Sequence, residues 1–120
     1  MASSQTLILS WPPSTNDLWR AYRGRNILSR RARLWADAAG KELLSQNIKP
    51  VKGPVWVDIA LQSPYKRSFD PDNRVKALLD LLVKHTILEQ DNNHIIHRLT
   101  VYTQIVGFEG ARVTIQEAEL

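Results

Sequence analysis

The sequence predicts an α/β (α+β) chain, a single two-layer domain over residues 1–120 in which a mixed β-sheet carries two main helices. Three observations lead there. Val55, Val57, Ile59 and Leu61 alternate with Trp56, Asp58, Ala60 and Gln62, the period-2 pattern of a half-buried strand. Val75, Leu78, Leu79 and Leu82 recur at the i, i+3, i+4, i+7 interval of an amphipathic helix. Two β-branched runs, residues 95–105 and 111–116, close the chain around a glycine-flanked turn at 107–110 and read as a terminal hairpin.

The elements follow in order. Leu7-Ile8-Leu9 leading to Trp11 predicts a first strand over residues 6–11, then a Pro/Ser/Asn loop and a short strand at 26–28. Ser29 is a suitable N-cap for a helix over 30–46, which Gly40 weakens without breaking. Residues 47–54 hold turn signals before the strand at 55–62, and a loop over 63–69 delivers Asp70 to a second helix over 72–84. Trp11 and Trp56 read most simply as core residues.

A chain of 120 residues makes one core, with no room for a separate nucleic-acid-binding module. There is no cysteine, which excludes disulfides and thiolate metal sites and fits a reducing compartment. No apolar run approaches the length of a membrane span, and residues 1–10 lack the basic start of a secretory signal, so the expected location is cytoplasmic, with no membrane partner. The net charge of +4 is uneven. Residues 1–52 carry nine Lys/Arg against three Asp/Glu, or +6, while 53–120 carry seven against nine, or −2. Arg20, Arg23, Arg25, Arg30, Arg31 and Arg33 interleave with Trp19, Tyr22 and Trp35, a composition suited to phosphate contacts and base stacking, and equally to a solvated basic face.

The chemistry concentrates between Asp70 and Asp91. Hard divalent cations prefer oxygen ligands and need only one or two carboxylates each where substrate phosphate completes the shell. Asp70 and Asp72 can supply two. A helix advances about 40° beyond a full turn in four residues, which sets Asp72, Lys76 and Asp80 in one row beside the leucine stripe. Asp91 lies beyond a helix about 20 Å long and is carried back if residues 86–90 run extended. A plain reading fits the same residues. Asp70 would be an N-cap, Pro71 the first helical residue, Lys76 a surface partner of Asp72, and Asp91-Asn92-Asn93 a turn. Spacing alone does not choose between them. A calcium loop is excluded, because Val75 stands where its glycine is needed and Leu81 where its glutamate is needed. His85, His94 and His97 have no partners at ligand spacing, and Ser14, Ser29 and Ser68 have no histidine-acid arrangement for covalent catalysis.

Asp70-x-Asp72-Asn73-x-x-Lys76-x-x-x-Asp80, then Asp91, resembles the signature of the RusA-type Holliday-junction resolvases, the crossover junction endodeoxyribonucleases of prophages and bacteria. Trp11-Pro12-Pro13-Ser14-x-Asn16 and Arg23-Gly24-Arg25 followed by Ser29 match the family's amino-terminal pattern, so the likeness covers most of the chain. It implies that Asp70, Asp72 and Asp91 bind metal and that Lys76 joins them in catalysis. The expected cofactor is Mg²⁺, with Mn²⁺ as a substitute and no small-molecule organic cofactor. Asp80 is expected to support Lys76. Arg20, Arg23, Arg25, Arg30, Arg31, Lys66, Arg67 and Arg74 are the expected DNA contacts. The implied partner is four-way junction DNA, nicked symmetrically in recombination and repair. Its near two-fold symmetry calls for a homodimer, with Ile105 and Phe108 as candidate interface residues. Gln90 departs from an acid found in some members, and Pro71 from a more usual apolar residue. A nuclease for another branched DNA, and a catalytically silent DNA-binding phage accessory protein, are the alternatives.

Overall fold

The structure, a computed structural model, describes residues 4–103 and 107–119. A four-stranded sheet is built from β1 (Ser4–Leu9), β4 (Val55–Gln62), β5 (Ile96–Tyr102) and β6 (Gly110–Glu117), in the order β1-β6-β4-β5. β6 runs antiparallel to both β1 and β4, and β4 runs parallel to β5, so the sheet is mixed as expected. Helices α1 (Arg30–Ser45) and α2 (Val75–Lys84) bring their apolar faces to the core. A second sheet is the two-stranded ribbon of β2 (Trp19–Tyr22) and β3 (Arg25–Leu28).

The alternation along β4 dictates the layering. Val55, Val57, Ile59 and Leu61 are fully buried and meet Leu7, Leu9, Val113 and Ile115 from the neighbouring strands, and Leu78, Leu82 and Leu43 from the helices. Trp56 points the other way, onto the uncovered face, where the Arg98 guanidinium lies 3.8 Å from its ring centroid. It is therefore not the core residue expected of a tryptophan, because its strand position places it on the outer side of the pleat.

The expected terminal hairpin is not formed. β5 and β6 flank β4 on opposite sides, since a strand apolar at every second position over eight residues accepts partners along both edges. The β4–α2–β5 passage is instead a crossover, the connection that parallel strands require. Ile105, named as an interface candidate, lies outside the described residues, and Phe108 is half-buried.

The ribbon of β2 and β3 was legible only in its second strand. Arg23 and Gly24 both take positive φ, 49° and 76°, as a two-residue hairpin turn requires. At the base of the ribbon the Ser29 N–H donates to the Leu18 carbonyl at 2.9 Å, and buried Leu18 packs on Ala32 and Ala77. Ser29 also caps α1, accepting the Ala32 N–H at 3.1 Å. Gly40 has a structural reason within α1, because a Cβ there would lie 3.0 Å from the His85 imidazole.

Gly110 starts β6 with φ of +134°, and a Cβ there would lie 2.5 Å from the Leu9 carbonyl oxygen. Gly110→Ala is expected to lower stability by about 1–3 kcal/mol through backbone strain and displacement of β1 from β6. Urea unfolding followed by circular dichroism measures it, and an unchanged midpoint would remove this contact from the account.

Candidate active site

The acidic segment is positioned by the amino-terminal loop. After β4 the chain runs through residues 63–69 to Asp70, then makes one 3-10 turn, Pro71–Arg74, before α2 begins. The Phe69 ring meets the Trp11 ring edge-on, with centroids 4.9 Å apart at 86°. Arg74 lies over the Trp11 ring at 5.2 Å and donates from Nη1 to the Pro12 carbonyl at 2.8 Å. The Thr15 hydroxyl donates to the Asn73 carbonyl at 3.0 Å. Trp11-Pro12-Pro13-Ser14-Thr15 is thus a template against which the acidic turn is folded. Trp11 itself is held by packing, since its buried Nε1–H has no partner among the described residues.

This scaffold leaves the two leading carboxylates free. Asp70 has extended backbone angles, φ −92° and ψ 118°, and its side chain makes no capping hydrogen bond. The turn is closed by main chain, with the Asn73 N–H donating to the Asp70 carbonyl at 3.1 Å. Among the described residues, only the Asn73 amide bonds to the Asp70 carboxylate, donating at 3.5 Å. Asp72 is exposed in the same turn and has no ion pair among the described residues. The capping role that competed for Asp70 is therefore absent, and Pro71 serves as the first residue of the turn.

Lys76 turns away from Asp72. Its ammonium Nζ lies 2.9 Å from Asp80 Oδ1 and donates to Asp91 Oδ2 at 2.7 Å. Asp80 supports Lys76, as expected, and the lysine ties Asp91 to the front of α2. The return of Asp91 differs from expectation, because residues 85–90 form compact turns and not an extended run. Thr86 takes φ of 59° just past the helix, and the Ile87 N–H donates to the Leu82 carbonyl at 2.9 Å. Ile87 and Leu88 are buried, so apolar side chains pull this segment back onto the core. Glu89 then accepts the Gly53 N–H at 2.6 Å.

Electrostatics follow the geometry. The hydrogen bonds that the Lys76 ammonium donates to Asp91, and then to Asp80, raise its pKa above the ordinary 10.5. The Lys76 hydrogen bond holds the Asp91 carboxyl below its ordinary 3.8. Asp91 thus contributes stability above pH 3.8 that is lost as pH falls through its lower native value. Lys76 contributes below pH 10.5, and loses it as pH rises through its higher native value. The pair stays ionised between those limits. Among the described residues, no three His, Asp or Glu side chains group closely enough to hold a metal ion between them. The structure joins Lys76, Asp80 and Asp91, and separately sets Asp70 and Asp72 one residue apart on the same short turn.

The basic residues lie on three elements. Arg20, Arg23 and Arg25 are exposed on the ribbon, where Arg20 and Arg23 lie 5.8 and 5.2 Å from the Tyr22 ring centroid. Arg30, Arg31 and Arg33 are exposed on the first turn of α1, with Arg31 3.6 Å from Asp17. Lys66 and Arg67 are exposed on the loop before Asp70, and Arg67 lies 5.2 Å from the Tyr65 ring centroid. Arg74 has a structural role, bonded to Pro12 as described. The sequence reading missed Tyr65, and its signal was an aromatic directly before two basic residues. His94 and His97 are exposed. Ser14 and Ser29 act as caps, accepting N–H groups from Asn16 and Ala32.

Residues 10–116 match the family described as endodeoxyribonuclease RusA. Similar proteins include a crossover junction endodeoxyribonuclease RusA of Escherichia coli strain K12, 30% identical over 83 residues, or 68% of this chain and 69% of that protein. The protein of the same name from Shigella sonnei strain Ss046 matches with the same identity and coverage, 30% over 83 residues. The corresponding protein of Enterobacteria phage 82 is 32% identical over 79 residues, covering 65% of this chain and 66% of that one.

Carbon-detected NMR titration is expected to place the Asp91 carboxyl below 3.8, and Lys76→Met is expected to return it upward. An Asp91 midpoint insensitive to that substitution would show the bond to be unformed in solution.

Proposed function

Because the chain belongs to the RusA family of endodeoxyribonucleases, we propose that it resolves four-way DNA junctions by symmetric, divalent-metal-dependent hydrolysis of two opposed strands. The observation that carries this reading is Lys76 held between Asp80 and Asp91, one helical turn beyond the uncapped Asp70-Pro71-Asp72 turn. Residues 1–120 act in it as one domain, in the cytoplasm, without a membrane or an organic cofactor.

Asp70, Asp72 and Asp91 are the proposed ligands of Mg²⁺, with Mn²⁺ as a substitute. The donor set suits a hard cation: all its donors are carboxylate oxygens, and two of the carboxylates are exposed and make no ion pair among the described residues. When bound, such an ion acidifies a water and neutralises phosphate charge. Water attacks phosphorus and gives its proton to solvent, one P–O bond forms, and the bond to the leaving sugar oxygen breaks as that oxygen takes up a proton from solvent. Lys76 is an ammonium throughout the working pH range because both its carboxylate partners raise its pKa. It is therefore a donor to phosphate oxygen and not a general base. To reach phosphate it releases Asp91, while Asp80 keeps its head group at the front of α2.

The proposed DNA contacts are Arg20, Arg23, Arg25, Arg30, Arg31, Lys66 and Arg67, with Arg74 bridging this surface to the acidic turn. Two cuts on a two-fold junction require two sites, which a homodimer supplies.

Parallel assays on junction, fork, flap and linear duplex test the reading. Wild type is expected to cut junctions in Mg²⁺, Asp72→Asn to bind them without cutting, and Lys76→Ala to slow cleavage by about 10²–10³-fold. Preferred cutting of linear duplex would reject junction resolution, and binding without cleavage in both Mg²⁺ and Mn²⁺ would favour an accessory protein. Replacing Arg23 and Arg25 is expected to lower the salt dependence of binding by roughly one log-log unit per lost phosphate contact. An unchanged slope would remove both from the interface.

A further inference from the structure

Beside the acidic turn lies a cleft of about 350 Å³ lined by Trp11, Arg31, Trp35, Tyr65, Arg67 and Arg74, with Pro12 and Pro13 at its floor. We propose that it holds a single unpaired nucleotide of the bound DNA, with phosphate on the arginines and the base against Tyr65. This rests on the nuclease reading and adds a ligand to it.

Three features carry the assignment. The first is charge. Three guanidiniums line the cleft and no carboxylate is among its lining residues, although Arg31 lies 3.6 Å from Asp17. Positive groups that repel one another in a cleft are relieved by an anion. The second is the aromatic surface. Tyr65 is 57% exposed, and it lies under Arg67 as Trp11 lies under Arg74. Rings and planar guanidiniums are the surfaces on which unstacked bases rest. The third is size. The volume is at the low end of the roughly 300–1,000 Å³ of small-ligand sites. It admits one nucleotide and cannot admit a duplex, whose major groove alone is about 12 Å wide.

The walls differ in how they are tethered, which fits such a site. Trp35 is fixed by its Nε1–H bond to the Ser10 carbonyl at 3.1 Å, and Arg74 by its bond to Pro12. Tyr65 and Arg67 stand on the exposed loop before Asp70 and contact each other. Arg74 is two residues past Asp72, so the occupant would lie next to the phosphate to be cut. Bases freed at a branch point would enter, and paired bases would not.

The test is binding without divalent cation, so that cleavage does not enter the readout. The probes are a duplex carrying one unpaired 2-aminopurine nucleotide and the same duplex fully paired. Wild type is expected to prefer the first and to quench its fluorescence. Tyr65→Ala should reduce that preference by roughly 5- to 150-fold, the effect of losing one base stack. Arg67→Ala should also reduce it, Tyr65→Phe should retain it, and Arg23→Ala, outside the cleft, should weaken both probes equally. Equal binding of the two probes by wild type overturns the proposal. So does a Tyr65→Ala protein that keeps the preference, including the case in which Arg67→Ala weakens both probes alike and reveals a phosphate contact alone. A cleavage assay of wild type on junctions in Mg²⁺, run alongside, judges the nuclease reading separately.

Discussion

One guanidinium organises this molecule. Arg74 is stacked on Trp11 and bonded to the Pro12 carbonyl, and so fixes the start of α2 against a loop more than sixty residues earlier in the chain. Without that contact the Asp70–Asn73 turn would follow an exposed loop with the Thr15 hydroxyl and the edge contact of Phe69 with Trp11 left to orient it. An arginine suits the position because its planar head can cover a ring and still direct an N–H at a carbonyl, which a lysine cannot do with one compact charge. Its partial burial is tolerable for the same reason, since one face rests on the Trp11 ring and one N–H has a carbonyl partner.

Much of this was legible in the residues, for physical reasons that also explain what was not. β4 and α2 declare themselves because each exposes one face to a continuous core, and α1 because Ser29 is both a cap and the hinge of the preceding ribbon. β2 hides because all four of its residues are exposed, and a strand with no buried face has no alternation to read. The pairing of β5 with β4, and not with β6, is a choice among partners that no local pattern encodes. At the candidate site, spacing marked Asp70, Asp72, Lys76, Asp80 and Asp91 but left two readings of Asp70 open. The structure removes the capping role by closing the turn through main chain. Spacing also placed Lys76 opposite Asp72 as readily as opposite Asp80. The deciding factor was Asp91, which adds a second carboxylate on the side of Asp80.

The ammonium of Lys76 therefore has two descriptions. In this structure it neutralises two carboxylates that would otherwise repel each other, and it closes the gap between α2 and the segment before β5. In the proposed reaction it faces phosphate. Both descriptions need the same protonation state, which both acids favour here and Asp80 alone favours once Asp91 is released. A residue that first holds a site together and then acts in it couples folding to chemistry at one atom.

The ribbon of β2 and β3 has the opposite character. None of its residues is buried, and its attachment is concentrated in Leu18 and Ser29 at its base. Substitutions along its length leave the main core intact. Natural variation or deliberate redesign can therefore exchange its side chains, among them the proposed DNA contacts Arg20, Arg23 and Arg25, while the acidic turn and Lys76 stay as they are. Such a molecule can diversify what it recognises at little risk to whether it folds.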